Sequence, residues 1–165
     1  MESTPPVGAT GIIAPRCNDR RRGSNRPPST PPRASEPPLA LKNLRVLVVD
    51  DDPASAKLMS VTLRAEGCDT RIAGSAEEAL PLVSTFRPRL IMLDLVLPFM
   101  SGLSFAQQLK GDPATRNIVI VAVSAYNGYG VERAATEVGC ALFLRKPVDP
   151  VVFPQLLTTY LGGVE

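Results

Sequence analysis

The chain has 165 residues, a formal net charge of +2 and no histidine. This length is sufficient for one domain with a buried core. The lack of histidine excludes a histidine-based catalytic triad. It also argues against a zinc site, because zinc is normally held by histidine and closely spaced cysteine.

Three cysteines are scattered along the chain without CxxC spacing. An odd number of such cysteines argues against a disulfide framework and indicates a reducing compartment. No apolar run approaches the roughly 18 residues that a membrane span requires, and the N-terminus lacks the apolar segment of a signal peptide. We therefore expect a cytoplasmic protein without a membrane span.

Residues 1–40 differ in composition from the rest of the chain. They contain nine of the seventeen prolines and six arginines against three acidic residues, which leaves a net charge of −1 for the remainder. Proline favours extended conformations, and the segment has too little apolar surface to offset the entropy of ordering it. We therefore predict a disordered tail over residues 1–40 and a folded domain over residues 41–165. The run Arg20–Arg22 can contact an acidic partner or nucleic acid, but a solvated tail is the better interpretation.

Downstream of the tail, short apolar runs alternate with patterns typical of helices. Asp52 is predicted to cap the first helix, because Pro53 suits the first helical position. The segment Ser75–Glu78 is a capping box for the second helix, in which Pro81 is expected to cause a kink or an early end. Pro154 is expected to distort the first turn of the last helix. The predicted strands are 46–49, 69–73, 90–94, 118–123 and 141–144, and the predicted helices are 53–66, one starting at 75, 102–110, 131–138 and 149–161.

This alternation of five strands and five helices is typical of a doubly wound parallel sheet with helices on both faces. Right-handed crossover connections restrict the topology further. The flavodoxin-like strand order 2-1-3-4-5 places the first and third strands side by side. We therefore predict an α/β fold of the (βα)5 type with a five-stranded parallel sheet.

Polar side chains stand where four of the predicted apolar runs end. Because the carboxyl ends of parallel strands meet at one edge of a sheet and open into a crevice there, we expect these side chains to form one site. Asp50 and Asp51 follow the first strand, Asp94 ends the third, Ser124 follows the fourth and Lys146 follows the fifth.

These residue types indicate phosphoryl transfer. Three carboxylates in one crevice repel each other and raise the pKa of at least one of them. A divalent cation relieves this repulsion, and Mg²⁺ fits because it takes oxygen ligands and often works beside phosphate. Lys146 would supply a point charge for a phosphoryl oxygen, and Ser124 a hydroxyl that donates to the same group. An aspartate can form an acyl phosphate, so we predict phosphoryl transfer onto Asp94 with Mg²⁺ as cofactor.

The ordered set of motifs resembles the receiver domain of response regulators, the CheY-like family, over about residues 43–163. Each motif is weak by itself, but their order along the chain is highly specific. The sequence at residues 112–116 and 139–140 is also similar to single-domain regulators of the DivK type. The matching motifs are Val48-Val49-Asp50-Asp51, Leu93-Asp94 with Pro98 and Gly102, Val123-Ser124-Ala125, and Lys146-Pro147.

The resemblance implies that Asp94 accepts a phosphoryl group from a phosphohistidine on a sensor histidine kinase or a phosphotransfer protein. It implies that Asp51, Asp94 and the backbone carbonyl of Val96 ligate Mg²⁺ directly, while Asp50 acts mainly through water. Lys146 would contact the phosphoryl group. The chain would then be a single-domain signalling protein and not a conventional enzyme, since it would catalyse only its own phosphoryl transfer.

The resemblance also implies a conformational switch. The Lys146–Pro147 peptide bond would be cis, Ser124 would move toward the phosphoryl group, and Phe143 would rotate inward with it. These movements would reshape the surface formed by the fourth helix, the fifth strand and the fifth helix, to which downstream protein partners would bind. Whether phosphorylation drives formation of a homodimer is left open.

Simpler interpretations exist for each of these residues. Asp50 and Asp51 can serve to cap the first helix, and Ser124 can be a turn hydroxyl. Phe143 can be core packing, and Lys146 can be a solvated charge at a strand end. Three departures from the family pattern are also present. Serine replaces the more common threonine at position 124, phenylalanine replaces the frequent tyrosine at position 143, and Ser101 stands where an acid is common.

The resemblance further places Val96 and Tyr126 at two positions that orient an attacking water in the family. Neither residue carries an acid or an amide, and both are bulky. We therefore predict slow self-dephosphorylation, so that the signal persists or requires a partner protein to end it.

Other functions fit the sequence less well. An aspartyl-phosphate phosphatase of the haloacid-dehalogenase type needs a second aspartate two residues after the nucleophile, where this chain has Val96. A flavin or nucleotide binder needs a glycine-rich or hydroxyl-rich loop after the first strand, and the aspartates at 50–52 would repel phosphate there. Nucleic-acid binding would depend on the arginines of the tail and is not expected. A receiver-fold binding module that works without phosphorylation is the main alternative.

Overall fold

The computed structural model describes residues 40–126 and 128–163. Within them the chain forms five strands and five helices in strict alternation. The predicted disordered tail, residues 1–40, lies outside the described residues except for Ala40. The strands are β1 Arg45–Val49, β2 Asp69–Ala73, β3 Leu90–Asp94, β4 Val119–Ser124 and β5 Leu142–Arg145, and the helices are α1 Pro53–Ala65, α2 Ala76–Phe86, α3 Gly102–Gly111, α4 Tyr129–Val138 and α5 Val152–Gly163.

The five strands form one sheet in the order β2-β1-β3-β4-β5, and each neighbouring pair is parallel. The predicted flavodoxin-like α/β fold and its strand order are therefore confirmed. β1 and β3 are neighbours, and their register pairs Val49 with Leu93. The carboxyl ends of these two strands thus lie side by side at one edge of the sheet, which we call the carboxyl edge.

Each face of the sheet carries its own layer of helices, because successive strand residues point to opposite faces. Val46 and Val48 of β1 belong to the core formed with α1 and α5, whereas Leu47 and Val49 belong to the core formed with α2 and α3. Burial of one large apolar side chain contributes roughly 1.5–3 kcal/mol relative to exposure. Buried helix residues that cover the sheet are Met59, Leu63 and Phe153 on one face and Ala79, Phe105 and Leu109 on the other.

Aspartate side chains precede α1 and α5. Both carboxylate oxygens of Asp52 accept hydrogen bonds, at 3.3 Å each, from the backbone N–H groups of residues 54–55, so the predicted cap is confirmed. The predicted start of the last helix at residue 149 is wrong, because α5 begins at Val152. Asp149 Oδ1 instead accepts from the N–H groups of Val151 and Val152, at 2.8 and 3.2 Å, and closes a turn before the helix.

Two prolines lie inside helices without ending them. α2 continues past Pro81 to Phe86, so the expected early end is wrong. The helix ends instead at Arg87, which is left-handed with φ of +52°, and Pro88 follows it. Pro154 is the third residue of α5, where a backbone N–H would have no partner within the helix, so no intrahelical hydrogen bond is lost there.

Candidate functional site

Side chains from β1 and β3 meet at the carboxyl edge. The register that pairs Val49 with Leu93 places the residues that come next along β1 and β3, Asp50 and Asp94, side by side. Each of Asp50, Asp51 and Asp94 offers a carboxylate oxygen that lies within 4.8 Å of the others. The structure thus brings together the three carboxylates that the sequence pattern placed at one site.

Backbone N–H groups orient the two buried carboxylates. Asp50 Oδ1 accepts a hydrogen bond from the N–H of Asp52, and Asp94 Oδ1 accepts one from the N–H of Val96, both at 2.9 Å. The exposed fraction is 2% for Asp50 and 4% for Asp94, whereas Asp51 is exposed. Because Oδ1 of each buried aspartate is bonded to the backbone, Oδ2 is the oxygen available for other contacts.

Lys146, which follows β5, brings a positive charge to these two oxygens. Its Nζ donates a hydrogen bond to Asp94 Oδ2 at 2.8 Å and lies 2.8 Å from Asp50 Oδ2. The contact with Asp50 is an ion pair without hydrogen-bond geometry, so this buried Oδ2 has no hydrogen-bond donor among the described residues. The peptide bond between Lys146 and Pro147 is cis.

Burial and charge act in opposite directions on the pKa values of this site. Burial raises the pKa of Asp94 above its ordinary value of 3.8, and hydrogen bonds from Lys146 and from the N–H of Val96 offset only part of this effect. Burial lowers the pKa of Lys146, but its contacts with Asp50 and Asp94 outweigh burial and raise the pKa above 10.5. Lys146 is therefore a cation at neutral pH, and it serves two carboxylates at once.

The donor set suits a hard divalent cation. One ammonium group faces three clustered carboxylates, and the buried Oδ2 of Asp50 lacks a hydrogen-bond donor among the described residues. Buried carboxylates are costly unless their charge is balanced, and the single ammonium of Lys146 balances only one of the three. Carboxylate oxygens are the ligands that hard divalent cations prefer. The residues present therefore fit such an ion, and Asp50, Asp51 and Asp94 could supply its oxygen ligands.

Ser124 lies at the same edge of the sheet. It follows Val123, which pairs with Asp94 in the register of β3 and β4, and it is fully buried. Its Oγ accepts a hydrogen bond from the N–H of Tyr126 at 3.1 Å. The hydroxyl is thus adjacent to the carboxylate cluster but is bonded to its own loop, while the Tyr126 side chain is 63% exposed.

Phe143 of β5 lies beside Ala122 of β4 and is partly buried. It packs against a small cluster that includes Leu95, Ala122 and Ala135 of α4. This ring is therefore part of the contact between the sheet and α4, and it lies three residues before Lys146 in the chain.

The sequence patterns did not indicate two features of the loop between β3 and α3. A Cβ atom at Gly102 would overlap the carbonyl oxygen of Asp94, so this glycine is required by a close approach of two backbones. Phe99 has a φ of +64° and is 94% exposed. The sequence does contain one indication that Phe99 lies in a loop, because it directly follows Pro98. Proline is excluded from a central strand, so the large apolar residue after it is left in a loop.

The fold and its acidic edge define a class of signalling domain. The sequence model of the response regulator receiver domain matches residues 46–158, and the chain belongs to this family. It is similar to the polar-differentiation response regulator DivK of Brucella anthropi, with 34% identity over 117 residues that cover 71% of this chain and 95% of DivK.

The chain is also similar to the response regulator PleD of Caulobacter vibrioides, with 37% identity over 108 residues. That match covers 66% of this chain but 24% of PleD, so the chain spans about a quarter of the length of that relative. The crystal structure of the signal receiver domain of a signal transduction histidine kinase from Syntrophus aciditrophicus has a TM-score of 0.66 and 29% identity, and covers 73% of this chain and 92% of that domain.

No helix among residues 40–126 and 128–163 combines the length and the apolar character needed to cross a bilayer. Of the three cysteines, Cys68 and Cys140 fall within these residues, and both are free thiols.

Proposed function

We propose that this chain is a phosphorylation-dependent switch in a two-component phosphorelay. Asp94 accepts a phosphoryl group from the phosphohistidine of a sensor histidine kinase or a phosphotransfer protein. Mg²⁺ would be held by Asp50, Asp51, Asp94 and the backbone carbonyl of Val96. The observation that carries the proposal is the setting of Asp94, which is 4% exposed, bonded to Lys146 through Oδ2 and flanked by two further carboxylates.

Contacts on both oxygens of Asp94 orient it for attack. A carboxylate oxygen forms a bond to phosphorus while the P–N bond of the phosphohistidine breaks, and the departing imidazole nitrogen takes a proton from solvent. Lys146, a cation at neutral pH, can then exchange its bond with Asp94 for a phosphoryl oxygen. When bound, Mg²⁺ supplies positive charge that offsets the carboxylates and the charge on the transferring phosphoryl group.

Phosphorylation of Asp94 changes the conformation of the loop after β4. The Ser124 hydroxyl exchanges its bond with the N–H of Tyr126 for one with the phosphoryl group, and Phe143 moves with it. Support comes from packing, since Phe143 packs against the apolar cluster that includes Ala135 of α4, so that a displacement beside β5 can reach this helix. Downstream proteins bind the α4–β5–α5 surface, and a homodimer is one form that this binding can take.

The protein acts in the cytoplasm and catalyses only its own phosphoryl transfer. The free thiols of Cys68 and Cys140 agree with a reducing compartment. The receiver domain comprises residues 41–165, and the proline-rich and arginine-rich segment 1–40 is a tail outside it. Nucleic-acid binding is not part of the proposal.

The test is chemical phosphorylation of the purified chain. Acetyl phosphate is supplied with and without Mg²⁺ to the wild type, to Asp94→Asn and to the matched control Asp69→Asn, whose exposed aspartate begins β2 at the opposite edge of the sheet. We expect Mg²⁺-dependent, hydroxylamine-labile labelling of the wild type and the control, and none of Asp94→Asn. Equal labelling of Asp94→Asn would contradict the proposal. A folded wild type that takes no label would favour a binding module that works without phosphorylation.

A further inference from the structure

The loop between β3 and α3 presents an aromatic ring to solvent close to the candidate phosphoacceptor. Phe99 is 94% exposed, and Val96 in the same loop is 65% exposed. Apolar side chains of this size are more stable when removed from water. Two such exposed side chains in one short loop after the acidic site make the loop a candidate for contact with another molecule.

The backbone of Phe99 is also strained. Its φ of +64° lies in the left-handed region, which is unfavourable for a residue with a bulky side chain. Strain of this kind persists where the surrounding structure imposes it, and it is concentrated at functional sites. Neither the strain nor the exposed ring favours folding of the free domain, which points to a use of the ring in binding.

The loop that carries Phe99 is held firmly at its base. At one end the N–H of Val96 donates to Asp94 Oδ1 at 2.9 Å, and at the other the N–H of Gly102 donates to the carbonyl of Leu95 at 3.1 Å. Phe99 is three residues from both Val96 and Gly102, so its Cα lies within about 11 Å of each. Phe99 is therefore carried, five residues after Asp94, on a loop whose two ends are held by hydrogen bonds at the carboxyl edge.

We propose that Phe99 is the anchor on which the phosphohistidine-bearing donor protein docks, an inference that rests on the proposed function of Asp94. The Asp94 side chain is recessed, at 4% exposure, so a donor histidine must reach into the site while the body of its protein rests on the surrounding loops. A rigid exposed aromatic ring on such a loop has the properties of an interface anchor. A partner that binds only the α4–β5–α5 surface does not need this loop.

The test compares a protein donor with a small donor. The protein donor is the autophosphorylated core of a sensor histidine kinase, selected from a purified panel as the one that transfers fastest to the wild type. The small donor is acetyl phosphate, which needs no docking surface. The key variant is Phe99→Asn, since asparagine removes the ring and tolerates a left-handed backbone. Phe99→Leu restores apolar surface, and Ile72→Thr is a control that trims a 46% exposed apolar side chain on the edge strand β2.

We expect Phe99→Asn to slow transfer from the kinase at least tenfold and to change labelling by acetyl phosphate less than twofold. Phe99→Leu should retain most of the kinase transfer, and Ile72→Thr should match the wild type. Unchanged kinase transfer to Phe99→Asn would overturn this inference and leave the proposed function intact. Equal losses with both donors would also overturn it, because the residue would then act on Asp94 itself.

Three further outcomes separate this inference from the proposed function and from a different occupant of the surface. Absence of labelling of the wild type by acetyl phosphate would remove the proposed function and this inference together. If acetyl phosphate labels the wild type but no kinase of the panel does, the assignment of Phe99 to a donor protein fails alone. A concentration-dependent dimer of the wild type in sedimentation that Phe99→Asn abolishes would assign the ring to a second copy of the chain instead.

Discussion

Gly102 lies directly against the main chain of Asp94. A Cβ atom added at position 102 would overlap the Asp94 carbonyl oxygen and would lie 2.7 Å from the Cα of Leu95. The N–H of Gly102 also donates to the Leu95 carbonyl at 3.1 Å. The first turn of α3 is thus seated on the end of β3, and the backbone that carries Asp94 requires a residue without a side chain at this point.

We therefore expect Gly102→Ala to be destabilising and to slow phosphorylation of Asp94. The added methyl group meets backbone, which cannot move aside cheaply, so the free energy of unfolding should fall by about 1–3 kcal/mol. Gly111→Ala is the matched control in the same helix, because an added Cβ there meets nothing within 4 Å. That change should be neutral or stabilising by up to about 1 kcal/mol. Urea denaturation measures both, and equal effects of the two substitutions would contradict the close approach.

Mg²⁺ should stabilise the folded wild type. An ion present at tenfold its Kd contributes about 1.4 kcal/mol if it binds only the folded state. Asp50→Asn and Asp94→Asn each remove a ligand and one of the repelling carboxylates. Both variants should therefore be more stable than the wild type in EDTA and should gain less from Mg²⁺. Thermal unfolding with EDTA or MgCl₂ tests this, with Asp69→Asn as the control. If Mg²⁺ stabilises Asp50→Asn as much as it stabilises the wild type, Asp50 is not a ligand.

The acyl phosphate on Asp94 should be long-lived. Val96 and Tyr126 are 65% and 63% exposed at the rim of the site, and neither offers an acid or amide to orient water. Because a positioned general base contributes typically about 10²–10⁴-fold, Val96→Asn combined with Tyr126→Glu should shorten the lifetime at least about tenfold. The decay of label after removal of acetyl phosphate measures it. An unchanged lifetime in the double variant would remove this explanation, and Ile72→Thr should leave the decay as in the wild type.

Alkaline pH should destabilise the fold through Cys68. Burial, with a smaller contribution from the charge of Glu66, raises the pKa of this thiol from 9.0 to about 11. A raised folded-state pKa means that the contribution to stability is fully present below pH 9 and is lost as the pH rises through 11. The advantage of the wild type over Cys68→Ala should therefore shrink by up to about 3 kcal/mol across this range. Urea titrations at pH 8 to 11 test the difference between the two proteins, and a difference independent of pH would contradict a buried neutral thiol.

The strand order could be predicted because alternating strands and helices with right-handed crossovers leave few topologies. The grouping of the carboxylates could be predicted because it depends on a short local pattern. An apolar run that ends in aspartate, as at Asp50 and Asp94, identifies a buried strand and its carboxyl end together. Helix boundaries could be predicted from the sequence less well. α5 starts at Val152 although the Asp149 carbonyl already accepts from the N–H of Phe153, because Pro154 has no N–H for the next hydrogen bond of a helix that began earlier.

The buried face of α1 could likewise not be fully predicted from the sequence. The apolar residues Met59 and Leu63 are buried, yet the equally apolar Leu58 is 43% exposed while the polar Ser60 is buried. Ser60 Oγ instead shares a hydrogen bond of 2.7 Å with Thr70 Oγ1 of β2. A polar side chain can be buried when it finds such a partner, and the partner here is ten residues away on another element.

The sequence by itself determined the parallel sheet, the edge at which the polar residues gather and the kinds of chemical group available there. The tertiary structure alone decided how those groups meet. Lys146 reaches Asp94 across 52 residues of chain and also pairs with Asp50, whose Oδ2 gains no hydrogen-bond donor among the described residues. The left-handed backbone of Phe99 likewise follows from how its loop is closed. Distances between remote residues and single backbone angles depend on the packing of the whole domain, and no local pattern encodes them.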